Sequence, residues 1–258
     1  MLRWFDAWLK GNDNGVKSEA PVRIFVMGAN QWVDEQEWPM ARTRYTDFYL
    51  HGGAPANSLY GSGTLSTDKP QSEKSDHYTY DPDSPVPFLT EPSFEQIGGP
   101  DDYRPVERRD DVLVYTSDAV TKNTEVCGPI KATIYAASSA TDTDYTAKLI
   151  DVWPNGFAER LSDGIVRARF RNGMEKEELI QPGTIYEYHV DAWNTCEMYK
   201  VGHRIRVEIS SSAFPKYPRN LNTGEPLGRS TNRQIAQQTI YHDAEHPSHV
   251  TLPIVPEK

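Results

Sequence analysis

Alternation of apolar and polar residues with a period of two is the feature of this sequence that most restricts its fold. In GTIYEYHVDAW every second residue from Tyr186 to Val190 is apolar, and in GHRIRVEISSS every second residue from Ile205 to Ile209 is apolar. Successive side chains of a strand point to opposite faces of a sheet, so this pattern predicts strands with one buried face. Similar short runs, closed by proline and glycine turns, recur from PVRIFVMG to SHVTLPIVP.

These runs predict some eight to ten strands and very little helix. Residues 51–76 and 85–108 are rich in Pro, Gly or Ser and are expected to form long loops, and RSTNRQIAQQTIYHD (229–243) is expected to be helical or irregular. Many short strands joined by proline and glycine turns are typical of sandwiches. The sequence therefore predicts an all-β fold, a jelly-roll β-sandwich with one short N-terminal helix and long loops.

That one helix opens the chain, in MLRWFDAWLKG. Leu2, Phe5 and Leu9 fall on one helical stripe, with Trp4 and Trp8 beside it. A helix with such an apolar face needs something to pack against, because a large exposed apolar patch promotes association. We divide the chain into the helix at 1–11, a linker at 12–20 and the sandwich at 21–258.

Composition excludes several classes of protein. With 27 basic and 37 acidic residues the net charge is −10, which disfavours nucleic acid as a partner. The sequence has neither an apolar run of membrane-spanning length nor a signal peptide, so no membrane association and a cytoplasmic location are expected. Cys127 and Cys196 lie far apart in the sequence. Two buried thiols are favoured for them, with a single disulfide as the alternative.

No catalytic motif stands out. None of the serines has the Gly-x-Ser-x-Gly surroundings of an α/β-hydrolase nucleophile. Ser210–Ser212 are interpreted as the end of a strand, with serine nucleophiles as the less favoured alternative. The histidines of YHDAEHPSH are interpreted as part of a turn rather than a metal site. Asp142, Asp144 and Asp151 are expected to be solvated loop carboxylates. No catalytic residue, metal site or cofactor is predicted within the chain.

Several segments together resemble the C-terminal portion of the CocE/NonD hydrolases, the family of cocaine esterase, α-amino-acid ester hydrolases and X-Pro dipeptidyl-peptidases. They occur in family order over nearly the whole chain: RWFDAWLKG, VRIFVMGANQWVDEQEWP, FYLHGG, YTYDPDSPVP, RDDVLVYTS, TDYTAKLIDVWPNG, GHRIRVEISSSAFPKYPRNLNTG and EHPSH. The resemblance implies a jelly roll of the galactose-binding-like kind. It also implies that the Ser-His-Asp triad belongs to a preceding α/β-hydrolase domain and maps to no residue of this sequence.

The resemblance further implies two sets of candidate residues. Trp4, Phe5 and Trp8 are expected to form an interface with that catalytic domain, the helix being its last element. Phe94, with Leu89 and Phe88 behind it, is expected to contribute to the wall of the substrate cleft (the last two positions precede it in PFLTEPSFEQIGG). Alone, the chain is expected to be inactive towards the esters or peptides that such an enzyme hydrolyses, and a homodimer through the exposed helix is a further expectation.

The alternative function is an independent carbohydrate-binding jelly roll. The chain has six Trp and 14 Tyr residues, which could stack on sugar rings. Trp32 and Trp38, expected in the loop after the first predicted strand, are the candidates for exposed platforms. Fold alone does not decide between the two functions, because jelly rolls serve many.

Overall fold

The structure, a computed structural model, describes residues 1–89 and 101–256. The predicted all-β fold is confirmed: the described residues form thirteen strands, two α-helices and two short 3-10 turns. The helices are α1 (Leu2–Leu9) and α2 (Arg104–Glu107). The strands are β1 (Val22–Val26), β2 (Gln31–Glu35), β3 (Arg44–His51), β4 (Thr64–Ser66), β5 (Asp76–Tyr80), β6 (Leu113–Ala119), β7 (Thr124–Ser138), β8 (Asp144–Val152), β9 (Ala158–Arg167), β10 (Tyr186–Tyr199), β11 (Arg204–Ser210), β12 (Ala236–Tyr241) and β13 (His249–Val255).

β1 and β2 form a hairpin, and the other strands form one hydrogen-bonded path that folds back on itself. The order along this path is β5-β12-β7-β13-β3-β4-β6-β11-β8-β9, and β10 pairs with β7. Nearly all neighbours are antiparallel; β4 and β6 are parallel. The main core lies inside this folded sheet and draws on β7, β8, β10 and β11 through the buried side chains of Ile134, Leu149, Tyr188 and Val207.

The period-two pattern explains β10 and β11 directly. Tyr188 and Val190 of β10 are buried, whereas Glu187 and His189 between them are exposed. In β11 the residues between the apolar positions, Arg206 and Glu208, are also buried, and Arg206 pairs with Glu107 of α2, which lies against this face. Alternation therefore predicted the strands correctly but predicted a solvated face for β11 that the structure does not have.

The expectation of a helical or irregular segment at 229–243 is wrong for its second half, which forms strand β12. Its inward positions are Ala236, Gln238 and Ile240. Gln238 is buried because its side-chain amide bonds to Tyr145 and Thr143. A polar residue at an inward position hides the apolar alternation on which the prediction relied.

The expected pair of buried thiols is also wrong. Cys127 of β7 and Cys196 of β10 form a disulfide with an S–S distance of 2.03 Å. The two residues lie directly opposite each other in the antiparallel pair. The bond thus crosslinks two neighbouring strands that are separated by 69 positions in the sequence, and sequence spacing does not reveal such an encounter.

No helix among residues 1–89 and 101–256 combines the length and apolar character needed to cross a bilayer.

Candidate functional site

Helix α1 presents an aromatic face to solvent. Trp4, Phe5 and Trp8 are 53%, 45% and 56% exposed, and the one buried residue of the helix is Ala7. The three rings pack on one another, with the Trp4 and Phe5 centroids 5.2 Å apart and those of Trp4 and Trp8 6.0 Å apart. The chain leaves uncovered an aromatic cluster large enough to serve as a contact surface.

The helix is held in place by its polar side rather than by its aromatic face. The Arg3 guanidinium donates to the Asn14 carbonyl at 3.0 Å and pairs with Glu19 at 2.7 Å. Asn14 in turn donates to the Arg3 carbonyl at 2.7 Å. These bonds join α1 to the segment before β1. The same segment places the Lys17 ammonium 5.3 Å from the Trp8 ring centroid, and the three rings stay about half exposed to solvent.

The second set of candidate residues lies at the edge of the described region. Phe88 donates its backbone N–H to the Phe214 carbonyl at 2.7 Å, and the Leu89 N–H donates to the Tyr103 hydroxyl at 3.3 Å. Leu89 is half-buried against the small apolar cluster that contains Tyr103. Phe94 falls outside the described residues, so its place in a cleft wall stays a prediction.

Two cations lie over the Phe88 ring. The Arg160 guanidinium is 4.7 Å and the Lys216 ammonium 5.0 Å from its centroid. Asp163 holds both cations, at 3.2 Å and 2.7 Å. Cation–π contacts of this kind fix the orientation of the ring, so Phe88 is a positioned aromatic group rather than a loose loop residue.

Ser210–Ser212 are all buried and bound within the fold. The Ser210 hydroxyl lies 2.6 Å from that of Thr146, the Ser211 hydroxyl lies 2.8 Å from that of Tyr78, and the Ser212 hydroxyl accepts the Val86 N–H at 2.8 Å. A serine nucleophile needs a base within hydrogen-bonding distance and access to substrate. In the described parts of the chain these three serines have neither, and they act as structural ties.

The histidines of YHDAEHPSH have separate partners. His242 is buried against Asp76, His246 bonds to Asp243, and the His249 ring bonds to the Pro247 carbonyl. Over residues 1–89 and 101–256, the single group of three donor side chains close enough to share a metal is Glu125 with the two disulfide-bonded cysteines. Cysteines in a disulfide offer no thiolate, so that group is not a metal site.

The expectation of solvated carboxylates at 142, 144 and 151 is wrong, since all three are at most 1% exposed. Asp142 accepts from Arg169 at 2.9 Å, and Asp144 accepts from Arg167 at 2.8 Å. Asp151 accepts from the His203 ring at 2.8 Å. The partners of Asp142, Asp144 and Asp151 lie 27, 23 and 52 residues further along the chain. Local patterns in the sequence therefore do not reveal these pairs.

Asp151 also belongs to a cavity that the sequence did not reveal. Together with Glu159 and Glu197 it lines an opening of about 410 Å³ at one end of the sandwich. Burial raises the pKa of Asp151 to about 7, and the charge of Glu159 adds to the effect. Burial likewise raises the pKa of Glu197 to about 7, with the charges of Asp151 and Glu159 adding to it. In the sequence, the signal for this site is limited to one acidic residue near an end of each of three strands.

The two tryptophans proposed as carbohydrate platforms differ in their surroundings. Trp32 is 61% exposed, but it packs edge-on against Phe25 at 5.3 Å with Arg23 5.9 Å from its centroid. Trp38 is 38% exposed. Both are accessible, but Trp32 lies in strand β2 rather than in the expected loop.

Comparison with known proteins gives consistent results. A family described as the X-Pro dipeptidyl-peptidase C-terminal non-catalytic domain matches residues 14–251. Cocaine esterase from Rhodococcus sp. (strain MB1 Bresler) is 45% identical over 256 residues, which cover 98% of this chain and 45% of the esterase. An aminopeptidase from the marine sediment archaeon Thaumarchaeota archaeon has a similar crystal structure, with a TM-score of 0.86, 27% identity and coverage of 99% of this chain and 43% of that one. An α-amino acid ester hydrolase has a TM-score of 0.82, 27% identity and coverage of 98% and 44%.

An all-β sandwich whose candidate serines and histidines are taken up by its own fold has the character of an accessory domain. The chain belongs to the family of X-Pro dipeptidyl-peptidase C-terminal non-catalytic domains. The resemblance to the C-terminal portion of the CocE/NonD hydrolases is thereby confirmed, and it is favoured over an independent carbohydrate-binding module. The chain spans less than half the length of the relatives just described.

Proposed function

We propose that this domain packs, through the aromatic face of α1, on an α/β-hydrolase catalytic domain of the same protein. The observation that carries the proposal is the exposed cluster of Trp4, Phe5 and Trp8 on a helix whose polar side is already tied to the chain. The length of the relatives supports it, because 55% or more of each lies outside the matched region and could supply the partner surface. A helix that closes a core shared between two domains would look like α1 when viewed without the second domain.

The proposed catalytic domain would carry out the chemistry of an ester or peptide hydrolase. A serine activated by a histidine would attack the acyl carbon, and backbone N–H groups would stabilise the oxyanion. The present domain would contribute Phe88 and Leu89, with Phe94 beyond them, to the substrate wall. The support for this is the fixed position of the Phe88 ring under Arg160 and Lys216.

A chimera tests the packing. The part of the Rhodococcus cocaine esterase that this chain does not cover is fused to residues 1–258, and the hydrolysis of a p-nitrophenyl ester and the melting temperature are measured. Replacing Trp4, Phe5 and Trp8 together by Ser is expected to reduce the activity at least about tenfold or to lower the melting temperature by roughly 5 °C or more. The control is Trp193→Ser, which changes a tryptophan that is 67% exposed elsewhere on the sandwich.

If the triple variant matches the Trp193→Ser chimera in both measurements, the interface is elsewhere. The separate chain provides a second test, because it is expected to leave p-nitrophenyl esters intact. Hydrolysis above background that survives replacement of Ser210–Ser212 by Ala would contradict the accessory role.

The same aromatic face supports a homodimer of the separate chain. Two copies of α1 packed face to face would cover the rings of both. Sedimentation velocity is expected to give a concentration-dependent dimer for the 258-residue chain and a monomer for the triple serine variant. A monomer at all concentrations for both proteins would contradict this proposal.

A cytoplasmic location remains a proposal, and the Cys127–Cys196 disulfide weighs against it. Disulfides are rare in cytosolic proteins, where thiols are kept reduced. Trapping of free thiols with a maleimide reagent in intact cells tests the point. Two modified cysteines would support the cytoplasm, and none would support an oxidising compartment.

A further inference from the structure

The cavity at the end of the sandwich is lined by acids from three strands. Asp151 lies at the end of β8, Glu159 at the start of β9, and Glu197 near the end of β10. Asp151 and Glu159 are directly paired across the two strands. Like charges placed opposite each other destabilise a sheet, so this arrangement needs a compensating positive charge.

Asp151 and Glu159 each accept a hydrogen bond from a neighbouring ring. Asp151 accepts the N–H of His203, whose Nδ1 is 2.8 Å away, and burial lowers the pKa of His203, with the charge of Lys200 adding to the effect. The lowered pKa favours the neutral form of the histidine. Glu159 accepts the indole N–H of Trp153 at 3.0 Å. Neither contact supplies a positive charge.

Glu197 is the informative residue, because it is 3% exposed, lines the cavity and makes no hydrogen bond or ion pair with another described side chain. The adjacent Met198 N–H bonds to the Glu197 carboxylate but shares this bond with the Met27 carbonyl, to which it donates at 2.9 Å. Opposite it lies Gly28, where a Cβ atom would come 2.1 Å from the Glu197 Oε1 atom. The glycine leaves room for a carboxylate whose one hydrogen-bonding partner among the described residues is the adjacent Met198 N–H, and burial of a carboxylate with so few partners is costly.

The cations already at the cavity do not neutralise it. Arg160 is engaged by Asp163 and lies over Phe88. Lys200 is exposed, and its charge offsets only part of the rise that burial causes in the pKa of Asp151 and of Glu197. A bare metal ion does not fit, because the three carboxylates are not among the described donor groups that come within 4.8 Å of one another. The cavity volume of about 410 Å³ and its apolar lining by Met27, Trp153 and Leu161 suit a larger organic cation.

We propose that this cavity binds a protonated alkylamine or guanidinium group, with its charged nitrogen at Glu197 and Asp151 and its alkyl chain against Trp153. Charge-assisted hydrogen bonds to carboxylates and contact with an indole face are the interactions by which proteins bind such groups. The group could belong to a free small molecule or to a lysine or arginine side chain of a polypeptide. The proposal does not depend on the packing of α1.

Calorimetric titration of the full chain at pH 8 and low salt tests it, with four cationic probes. Cadaverine and agmatine represent free amines, and N-acetyl-lysine methylamide and N-acetyl-arginine methylamide represent side chains. Saturable binding of any of them supports the proposal, and the better pair identifies the source. 1-Pentanol, which has the alkyl chain without the charge, is expected not to bind.

The residue-level test uses Glu197→Gln, which is expected to weaken binding roughly tenfold or more. Glu187→Gln, a charge removal on the exposed face of the same strand, is the control and is expected to leave the affinity unchanged. Glu159→Gln, at the partly exposed rim, provides a second cavity variant if Glu197→Gln does not fold. Affinity is also expected to fall from pH 8 to pH 6, because Asp151 and Glu197 take up protons that compete with the cation.

Three results would overturn the proposal. These are an absence of saturable binding for all four probes, equal affinity in the wild type and in both cavity variants, and binding of Ca²⁺ or Mg²⁺ in preference to every organic cation.

Discussion

The Nε2 atom of His242 lies 2.9 Å from the Asp76 carboxylate, with both side chains removed from solvent. Asp76 also accepts the Tyr115 hydroxyl at 2.8 Å and the Ala56 N–H at 2.9 Å. One carboxylate of β5 thereby joins the loop between β3 and β4, strand β6 and the turn before β13. Elements with little regular structure of their own are fixed to the sandwich at this point.

Replacing His242 by Ala is expected to lower the free energy of unfolding by about 3 kcal/mol, because it leaves a buried carboxylate without its charged partner. Urea unfolding measures the change. His189→Ala is the control, since that side chain is 67% exposed and pairs weakly with Glu187. Equal effects of the two substitutions would show that the Asp76 contact contributes nothing.

The His242 contribution is expected to depend on pH. Burial alone would lower the pKa of His242, but the hydrogen bond to Asp76 and the charges of Asp76 and Glu73 outweigh it, so the pKa is raised. A raised pKa means that the folded state holds the proton more tightly. The extra stability is therefore fully present below about pH 6.5 and is lost as the pH rises through the folded-state pKa. The difference between wild type and His242→Ala, measured from pH 5.5 to 9, should shrink with rising pH.

Removing one partner of a buried Arg–Asp pair should lower the free energy of unfolding far more than removing one partner of an exposed pair. Asp142→Ala removes the buried carboxylate partner of Arg169, which is 2% exposed and keeps the exposed Glu177, and is expected to cost roughly 3 kcal/mol. Asp83→Ala removes the partner of Arg233, about half exposed, and is expected to cost less than about 1 kcal/mol. Parallel urea titrations compare the two. A small cost for Asp142→Ala would mean that solvent reaches the Arg169 site.

Unlike the paired groups above, ionised Glu197 lowers the free energy of unfolding. Its pKa is raised from 4.5 to about 7, mainly by burial. Between these values the folded state binds more protons than the unfolded state, so stability falls as the pH rises. Glu197→Gln removes this penalty and is expected to increase the unfolding free energy at pH 8 by about 2 kcal/mol and to flatten its pH dependence. Glu187→Gln should follow the wild-type curve, and an unchanged slope in Glu197→Gln would contradict the burial of this carboxylate.

The disulfide should stabilise the unreduced chain. Replacing Cys127 and Cys196 together by Ser is expected to lower the unfolding free energy by roughly 2–5 kcal/mol, because the bond closes a loop of 69 positions in the unfolded chain. Thiol titration under denaturing, non-reducing conditions should find no free cysteine. Two titratable thiols in protein purified without reductant would show that the bond is not formed.

Much of the sheet could be predicted from the sequence, because local patterns specify strands with a single buried face. The alternation at Tyr188 and Val190 predicted β10, and the family resemblance predicted the jelly roll in which the strands are arranged. The apolar face of α1 was also readable, since Trp4 and Trp8 follow from helical spacing alone. In each case the signal lies within a dozen residues.

The features that could not be predicted depend on distant partners. Asp142 looks like a loop residue until Arg169 and Asn220 close around it. Gln238 looks like a surface residue until Tyr145 binds its side-chain oxygen. The Glu197 cavity brings together three strand ends, none of which carries a motif. Burial of a polar group is decided by its hydrogen-bonding partners, and sequence does not show which residues those will be.

Strand β13 has a consequence for how the molecule is made. It lies between β3 and β7, pairing residues 249–254 with residues 44–49 on one side and with β7 on the other. Until residues 249–255 have been synthesised, β3 and β7, which precede them in the chain, lack the strand that pairs with both. Such long-range pairing slows folding and prolongs exposure of strand edges. The sandwich closes late in synthesis, and a chain stopped short of residue 249 would be a candidate for chaperones and proteases rather than a shortened native protein.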